Sequence, residues 1–311
     1  MEKFNSEIYS LVDEKYMADF SRNHKKFMEE YYYQFYSKFC TLYRRKPLPK
    51  NEFYLNMHRR RIQLYQLYCP YCGAVDILII DKKIHKTATP NFCPYCGKRD
   101  TTDNILRQIS RFIRIQGINW IGIKGLINEK PSSEEWLLAY DCYQMEIIEL
   151  ASIIEVFLRD YFETLLLANN FNANKDCSEY VKKAVRKNTR NDFMNIEKAN
   201  RIYKQAFRID LKGVLSESIW NDLIDIVNLR NMMIHNNGRI DNAFKQTPTY
   251  LRLKGYIIDD LFKLEKKDIE HYFNSVYKTV LDITEIFLMH YLPLRNENVA
   301  NYYFNNESLK T

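Results

Sequence analysis

A pentapeptide that occurs twice constrains this chain more than any other feature: Cys69-Pro70-Tyr71-Cys72-Gly73, then Cys93-Pro94-Tyr95-Cys96-Gly97. Two residues between cysteines let both thiolates of a knuckle face one tetrahedral ion. The glycine that follows supplies a turn whose backbone N–H groups can point at sulfur. One such pair would leave a redox role open; two, with matching proline and glycine, point to a zinc ribbon. Gly73 through Phe92 separate the knuckles, room for a short hairpin with Val75–Ile80 as one strand and His85 and Lys86 near its return. Four thiolates fill a tetrahedron, so Cys69, Cys72, Cys93 and Cys96 are expected to hold one structural Zn2+ per chain. Ribbons of this kind sit on nucleic acid or on protein partners, and the spacing does not choose between them. Cys40, Cys142 and Cys177 are scattered and read as buried thiols.

Elsewhere the apolar spacing is helical. Residues 5–46 carry Ile8, Leu11, Val12, Met17, Phe20 and Phe27 at helical intervals and stop at Pro47-Leu48-Pro49. A second helix is expected from Glu52 to Leu67, bearing Arg59, Arg60 and Arg61 as a solvated face or a nucleic-acid contact. After the ribbon, Thr102 or Asp103 can cap a helix running to about Gly117. Ser132 and Glu135 are spaced as a capping box for a long helix reaching Ala168, apolar on more than one face. Helical patterns follow over Cys177–Lys187 and Asn191–Phe207, and from Ser216 or Ser218 to His235, where Asn236-Asn237-Gly238 is a fitting stop. Tyr250–Ile258 suggests a small hairpin, and a final helix covers Lys267–Tyr291. The expected organisation is a helical segment over 1–62, a ribbon over 63–100, a helical bundle over 101–295 and a loose polar tail over 296–311. Only 8 Gly and 8 Pro in 311 residues argue against a loop-rich or all-β design.

A hydrophobic content of 46% with 27% charged residues is that of a soluble globular protein. The net charge of +7 suits an anionic partner without requiring one. Lys98, Arg99, Arg107, Arg111 and Arg114 form the best basic stripe, for RNA phosphates or for pairing with acidic helices. The acidic first twenty residues do not read as a secretory signal, and Ile147–Phe162 is broken by Glu149, Glu155, Arg159 and Asp160. A cytoplasmic protein with no membrane partner is expected.

Arg230, Asn231 and His235 then fall within about one and a half turns of a helix end, followed by Gly238. A permanent cation can hold a phosphate, and imidazole, with a reference pKa of roughly 6.5, can move protons near neutrality. Asn231 and His235 are four apart and share a face, so the amide could orient the ring. The bland alternative is a histidine capping free carbonyls at a helix C-terminus. By spacing alone the Arg–His pair is nearly what chance supplies.

The string Arg-Asn-x-x-Ile-His-Asn-x-Gly, ending a helix that opens Ser216-x-x-x-Trp220, resembles the signature of HEPN domains. It is especially similar to prokaryotic HEPN proteins of abortive-infection and toxin–antitoxin systems, and Ala151–Asp160 looks like that family's long early helix. The resemblance covers about residues 102–292 and leaves the ribbon outside it. It implies a mainly α, HEPN-like bundle that dimerises so that two motifs share one cleft. It also implies an endoribonuclease that needs no metal, in antiphage defence or as a toxin, with an antitoxin or activating partner. Arg230 and His235 would match the catalytic pair, Asn231 the polar position beside the arginine, and Glu155 an acidic residue that orients the site. Some members only bind, so a non-catalytic RNA- or protein-binding adaptor that uses the bundle for dimerisation is the alternative.

Overall fold

The computed structural model describes residues 33, 36, 37, 40, 46–58, 62–81, 92–129, 133–171, 192–258, 261–262 and 264–305. In chain order they form helix α1 (Lys50–His58), strands β1 (Ile62–Cys69) and β2 (Ala74–Asp81), and the long helices α2 (Thr101–Glu129) and α3 (Ser133–Asn169). Then come α4 (Ile196–Phe207), α5 (Leu211–Val214), α6 (Glu217–Asn236), α7 (Asn242–Lys245) and α8 (Pro248–Leu253). Strands β3 (Ile257–Ile258) and β4 (Leu261–Phe262) precede the last helix, α9 (Lys266–Asn305). The protein is mostly helical with a small cysteine-bearing hairpin, and its described residues fall into two compact units. One holds 101–163 and 192–287, the other the described residues up to 100 with 164–171 and 288–305.

The core of the first unit follows helical periodicity. Ile147, Leu150, Ile154, Phe157 and Tyr161 recur on α3 at spacings of three and four and are all buried. Ile105, Ile109 and Phe112 of α2, Leu223, Ile226 and Leu229 of α6, and Ile269, Val276, Val280 and Ile283 of α9 are buried with them. Each such side chain contributes roughly 1.5–3 kcal/mol by leaving water. Aromatic rings close the layers: Phe112 stacks on Phe273 at 5.1 Å and Tyr161 on Phe287 at 4.1 Å. The Tyr161 hydroxyl stands 2.8 Å from Thr284 Oγ1, which satisfies a polar group in the core.

Several elements differ from the sequence expectations. Helix α2 passes Gly117, Gly122 and Gly125 to end at Glu129. A helical glycine costs only about 1 kcal/mol relative to alanine, and buried Ile123 and the bond from Asn119 Nδ2 to Glu146 Oε1 (2.9 Å) outweigh it. Residues 62–67 are not the end of a helix but strand β1, paired along its whole length with β2; Ile62, Tyr65 and Tyr68 are residue types that favour an extended chain. Tyr250–Leu253 is helical, because Thr247 caps the Tyr250 N–H at 3.2 Å and Pro248 opens α8. The hairpin there is reduced to β3 and β4, with Ile257 opposite Phe262. Asn195 breaks the Asn191–Phe207 pattern by capping α4 through the Lys198 N–H. The expected loose tail is instead the end of α9 as far as Asn305, with Asn298 and Val299 buried. The expectations for most of residues 5–46, for Arg59–Arg61, for His85 and Lys86, for the Ser132 cap, for Cys177–Lys187 and for 306–311 lie outside the described residues.

Candidate functional site

The cysteine centre lies in the second unit. β1 and β2 pair antiparallel from Ile62 opposite Asp81 to Cys69 opposite Ala74, so the first knuckle is itself the turn of the hairpin. The expected hairpin between the knuckles is thus displaced: one strand precedes Cys69 and the other follows Cys72. Gly73 and Gly97 take φ of +73° and +70°, which lets their N–H groups bond back to the Cys69 and Cys93 carbonyls at 2.9 and 2.8 Å. One residue on, the backbone of Ala74 hydrogen-bonds Cys72 and that of Lys98 hydrogen-bonds Cys96, so the two knuckles repeat one geometry.

The four sulfur atoms lie within 4.8 Å of one another, with Cys69–Cys96 and Cys72–Cys93 both at 3.7 Å. A tetrahedron of Zn–S bonds near 2.3 Å has sulfur edges of about 3.8 Å, so the set fits a zinc-sized ion. Burial pushes the Cys69 thiol far above its ordinary value and that of Cys72 up to about 11. At Cys96 burial acts in the same direction, but the Lys98 N–H and the neighbouring thiols bring the group below its ordinary value. A cation at the centre is what would let all four ionise together. Leu67, Tyr71 and Leu167 pack around Cys69 and Cys93, and the Tyr71 hydroxyl stands 3.0 Å from Thr164 Oγ1. The second knuckle turns Phe92 and Tyr95 outward, 51% and 63% exposed.

In the first unit, Ser216 caps α6 by accepting the Ile219 N–H at 3.3 Å. Buried Ile219, Trp220, Leu223, Ile226, Leu229, Met232 and Met233 fix the helix's inner face. A polar network fastens it further: Thr249 Oγ1 donates to Asp225 Oδ1 at 2.6 Å, Arg252 pairs with the same carboxylate, and Asn228 bonds Thr249 at 2.9 Å. At the C-terminus Asn237 and Gly238 both adopt positive φ, and Asn236 Nδ2 bonds Asp241 Oδ2 at 2.6 Å. Asp241 caps α7, and the Phe244 N–H and the Asn236 amide hold its carboxyl below the usual range.

On this anchored helix Arg230 is half-buried, and its guanidinium donates to Asn231 Oδ1 at 3.0 Å. Asn231 is therefore engaged by the arginine rather than by His235, which stands exposed a turn further on beside exposed Ile234. Among the described residues no carboxylate pairs with Arg230. Glu155, on α3, is paired with Arg159 at 3.2 Å. Of the basic stripe, Arg107 pairs with Asp103 of its own helix at 2.9 Å and Arg111 with Glu149 of α3 at 3.5 Å. Arg114 is exposed and makes no ion pair among the described residues. Lys98 and Arg99 belong to the other unit, with Lys98 Nζ 4.2 Å from the Tyr71 ring centre. Of the remaining thiols, Cys40 is buried as expected, whereas Cys142 is half-buried.

A cluster that the sequence did not point to lines a cleft of about 140 Å³ beside α6 and α9. There Asp222 Oδ2 accepts from Ser275 Oγ at 2.6 Å and lies 3.1 Å from His271 Nε2. Asp225, Asp268 and Tyr272 share the wall with the apolar Leu253, Phe262 and Leu264. These residues are 53 positions apart at the closest contact, Asp222 to Ser275, so no local motif marks them. Among the described residues, no helix is long and apolar enough to cross a membrane. No protein-family model, no curated protein and no solved structure matches the chain.

Proposed function

We propose that this protein is an endoribonuclease whose working groups are Arg230, Asn231 and His235. The observation that carries the reading is a half-buried guanidinium with no carboxylate partner among the described residues, held by Asn231 about 7.5 Å along the axis from an exposed imidazole. An arginine already neutralised by a carboxylate could not offer its charge to a phosphate; this one can, and its fork suits two phosphoryl oxygens. Asn231 sets the orientation of the guanidinium. His235 acts as general base on the RNA 2′-hydroxyl, and the oxygen so activated attacks the adjacent phosphorus. The P–O5′ bond breaks, leaving a 2′,3′-cyclic phosphate and a 5′-hydroxyl once an acid returns a proton to the leaving oxygen. A second His235, across a dimer, would supply that acid. Glu155, neutralised by Arg159, is given no proton to move.

No metal takes part in these steps. The four-cysteine set would hold one zinc that supplies rigidity to the hairpin, since four thiolates leave no position for water. The likeness of Arg230–Gly238 to HEPN proteins is the ground for a HEPN-like bundle, a dimer, and a role in antiphage defence or as a toxin in the cytoplasm, restrained or triggered by a partner. Purified protein is incubated with total cellular RNA in EDTA, with zinc content followed in parallel. Cleavage that His235→Ala and Arg230→Ala each reduce by about 10²–10⁴-fold is expected.

The exposed Phe92 and Tyr95 on the second knuckle favour a second reading, an adaptor that binds RNA by stacking without cutting it. Retention of RNA by the wild type with no new ends would select it.

A further inference from the structure

The two Cys-Pro-Tyr-Cys-Gly knuckles share one backbone geometry but not one environment. Tyr71 of the first is 6% exposed, with its hydroxyl 3.0 Å from Thr164 Oγ1 and its ring centre 4.2 Å from Lys98 Nζ. Tyr95, its counterpart in the second, is 63% exposed. The second cysteines differ in the same sense: Cys72 is half-buried and Cys96 is exposed, whereas the first cysteines, Cys69 and Cys93, are both buried. A Cβ at Gly97 would meet nothing within 4 Å, so nothing beyond its chain neighbours roofs the turn beside Cys96.

Oxidation of cysteine follows thiolate character and access. With zinc bound all four sulfurs are thiolates, so access decides among them, and it selects Cys96. The other requirement is a second thiol within reach, and Cys69 Sγ lies 3.7 Å away. Closing that 3.7 Å to a disulfide length near 2.05 Å takes an approach of roughly 1.7 Å. Cys69 ends β1 opposite Ala74 and packs with Leu67 and Leu167, so the exposed partner is the one free to move.

We propose that Cys96 is the oxidation site of this ribbon, and that a peroxide joins Cys96 to Cys69 as a disulfide and expels the metal. The Cys96 thiolate attacks one peroxide oxygen, the O–O bond breaks, hydroxide leaves, and a sulfenic acid remains. Cys69 then attacks that sulfur, the S–O bond breaks, a second hydroxide leaves, and the S–S bond forms. Each sulfur gives up one electron and the peroxide takes two. Cys72 and Cys93 remain as donors, and two thiolates do not complete a zinc tetrahedron. A thiol reductant reverses the step. Cys96 oxidation presupposes the four-cysteine metal site proposed above and is independent of RNA cleavage by Arg230 and His235.

The full zinc-loaded chain is treated with hydrogen peroxide while released zinc is read with a chromophoric chelator and peptides are mapped without reduction. Wild type should release its zinc in step with a Cys69–Cys96 disulfide, and dithiothreitol with added zinc should restore the content. At the lowest peroxide dose dimedone, which traps sulfenic acids, should mark Cys96 before Cys72 or Cys142. Cys96→His keeps three cysteines and one histidine, an ordinary structural set, and should release zinc at least about 10-fold more slowly. Cys93→His makes the same exchange at a buried position and should stay within about 3-fold of wild type. The wild-type peptide map decides even if a histidine variant binds no metal. Metal content before peroxide separates two failures: a chain without metal overturns the site and its oxidation together, and one that keeps its metal with Cys96 reduced overturns the oxidation alone. A disulfide within one knuckle, dimedone on Cys72 first, or release from Cys96→His as fast as from wild type overturns it as well.

Discussion

Replacing Gly238 by alanine should destabilise the first unit by about 3 kcal/mol, because the residue closes the helix that carries the candidate site. Gly238 has φ +78°, where the Cβ of an L residue crowds its own backbone at a cost of roughly 1–2 kcal/mol. A Cβ built there would stand 2.3 Å from Tyr140 Oη and 2.5 Å from Gln144 Nε2. Gln144 is half-buried and can swing its amide aside, whereas Tyr140 is only 5% exposed and its hydroxyl faces the Gly238 carbonyl at 3.4 Å. Displacing the tyrosine adds an overpacking cost of roughly 1–3 kcal/mol. For a unit of this size each kcal/mol moves the midpoint by about 2–4 °C, so thermal unfolding should shift down by about 6–12 °C. Two controls separate this cause from a general effect of adding a methyl group. Gly117→Ala, exposed in mid-helix with nothing within 4 Å, should instead stabilise by up to about 1 kcal/mol. Tyr140→Phe removes the nearest clashing atom, so the double variant should be less destabilised than the sum of the two single ones by about 1 kcal/mol. A Gly238→Ala midpoint within about 2 °C of wild type, or strict additivity with Tyr140→Phe, would refute the reasoning.

Three further outcomes are expected. Wild type should carry one metal ion per chain by inductively coupled plasma mass spectrometry, and Cys93→Ser should lose it together with the cooperative melting of the hairpin unit; full metal content in the variant would contradict a four-thiolate site. Burial holds the Glu146 carboxyl above its ordinary value against the pull of its Asn119 hydrogen bond. The folded state thus keeps that proton longer than the unfolded chain, so its contribution is present below the ordinary carboxylate range and is lost as pH rises through the folded value. Glu146→Gln should gain stability over wild type in urea as pH rises from about 4 to 7, and parallel curves would count against a buried carboxyl there. Asp225→Ala strands fully buried Thr249 and the Arg252 guanidinium and should cost about 2–4 kcal/mol by denaturant unfolding, whereas a loss under about 1 kcal/mol would mean that the network does not anchor α6.

The elements read correctly from sequence were those whose period and caps agreed. Helix α3 announces itself by Ile147, Leu150, Ile154, Phe157 and Tyr161, and α6 by the Ser216 cap and the Asn237-Gly238 stop. Misreadings arose where two signals competed. Ile62–Leu67 has no strict alternation of its own and was absorbed into the helix before it, and Tyr250–Leu253 alternates like a strand although Thr247-Pro248 caps a helix. Gly117 and the polar end of α9 looked like stops because tertiary burial, here of Ile123, Asn298 and Val299, is not written in local composition. The cysteine centre was legible because its ligands come in fixed local spacings. The bond from Arg230 to Asn231 was not, since the rotamer that decides between arginine and imidazole depends on packing. The cleft at Asp222, Ser275 and His271 was also invisible, being assembled from two helices distant in sequence.

The central claim is that Arg230 and His235 cut RNA through its 2′-hydroxyl. The most direct measurement takes a mapped cleavage position in an RNA oligonucleotide and compares it with the same oligonucleotide bearing a single 2′-deoxy nucleotide there, in EDTA, with end groups read by mass spectrometry. Wild type should leave a 2′,3′-cyclic phosphate and a 5′-hydroxyl on the ribose substrate and nothing on the deoxy one, while His235→Ala leaves both intact. Cutting at the 2′-deoxy position, or undiminished cutting by His235→Ala, would contradict the account.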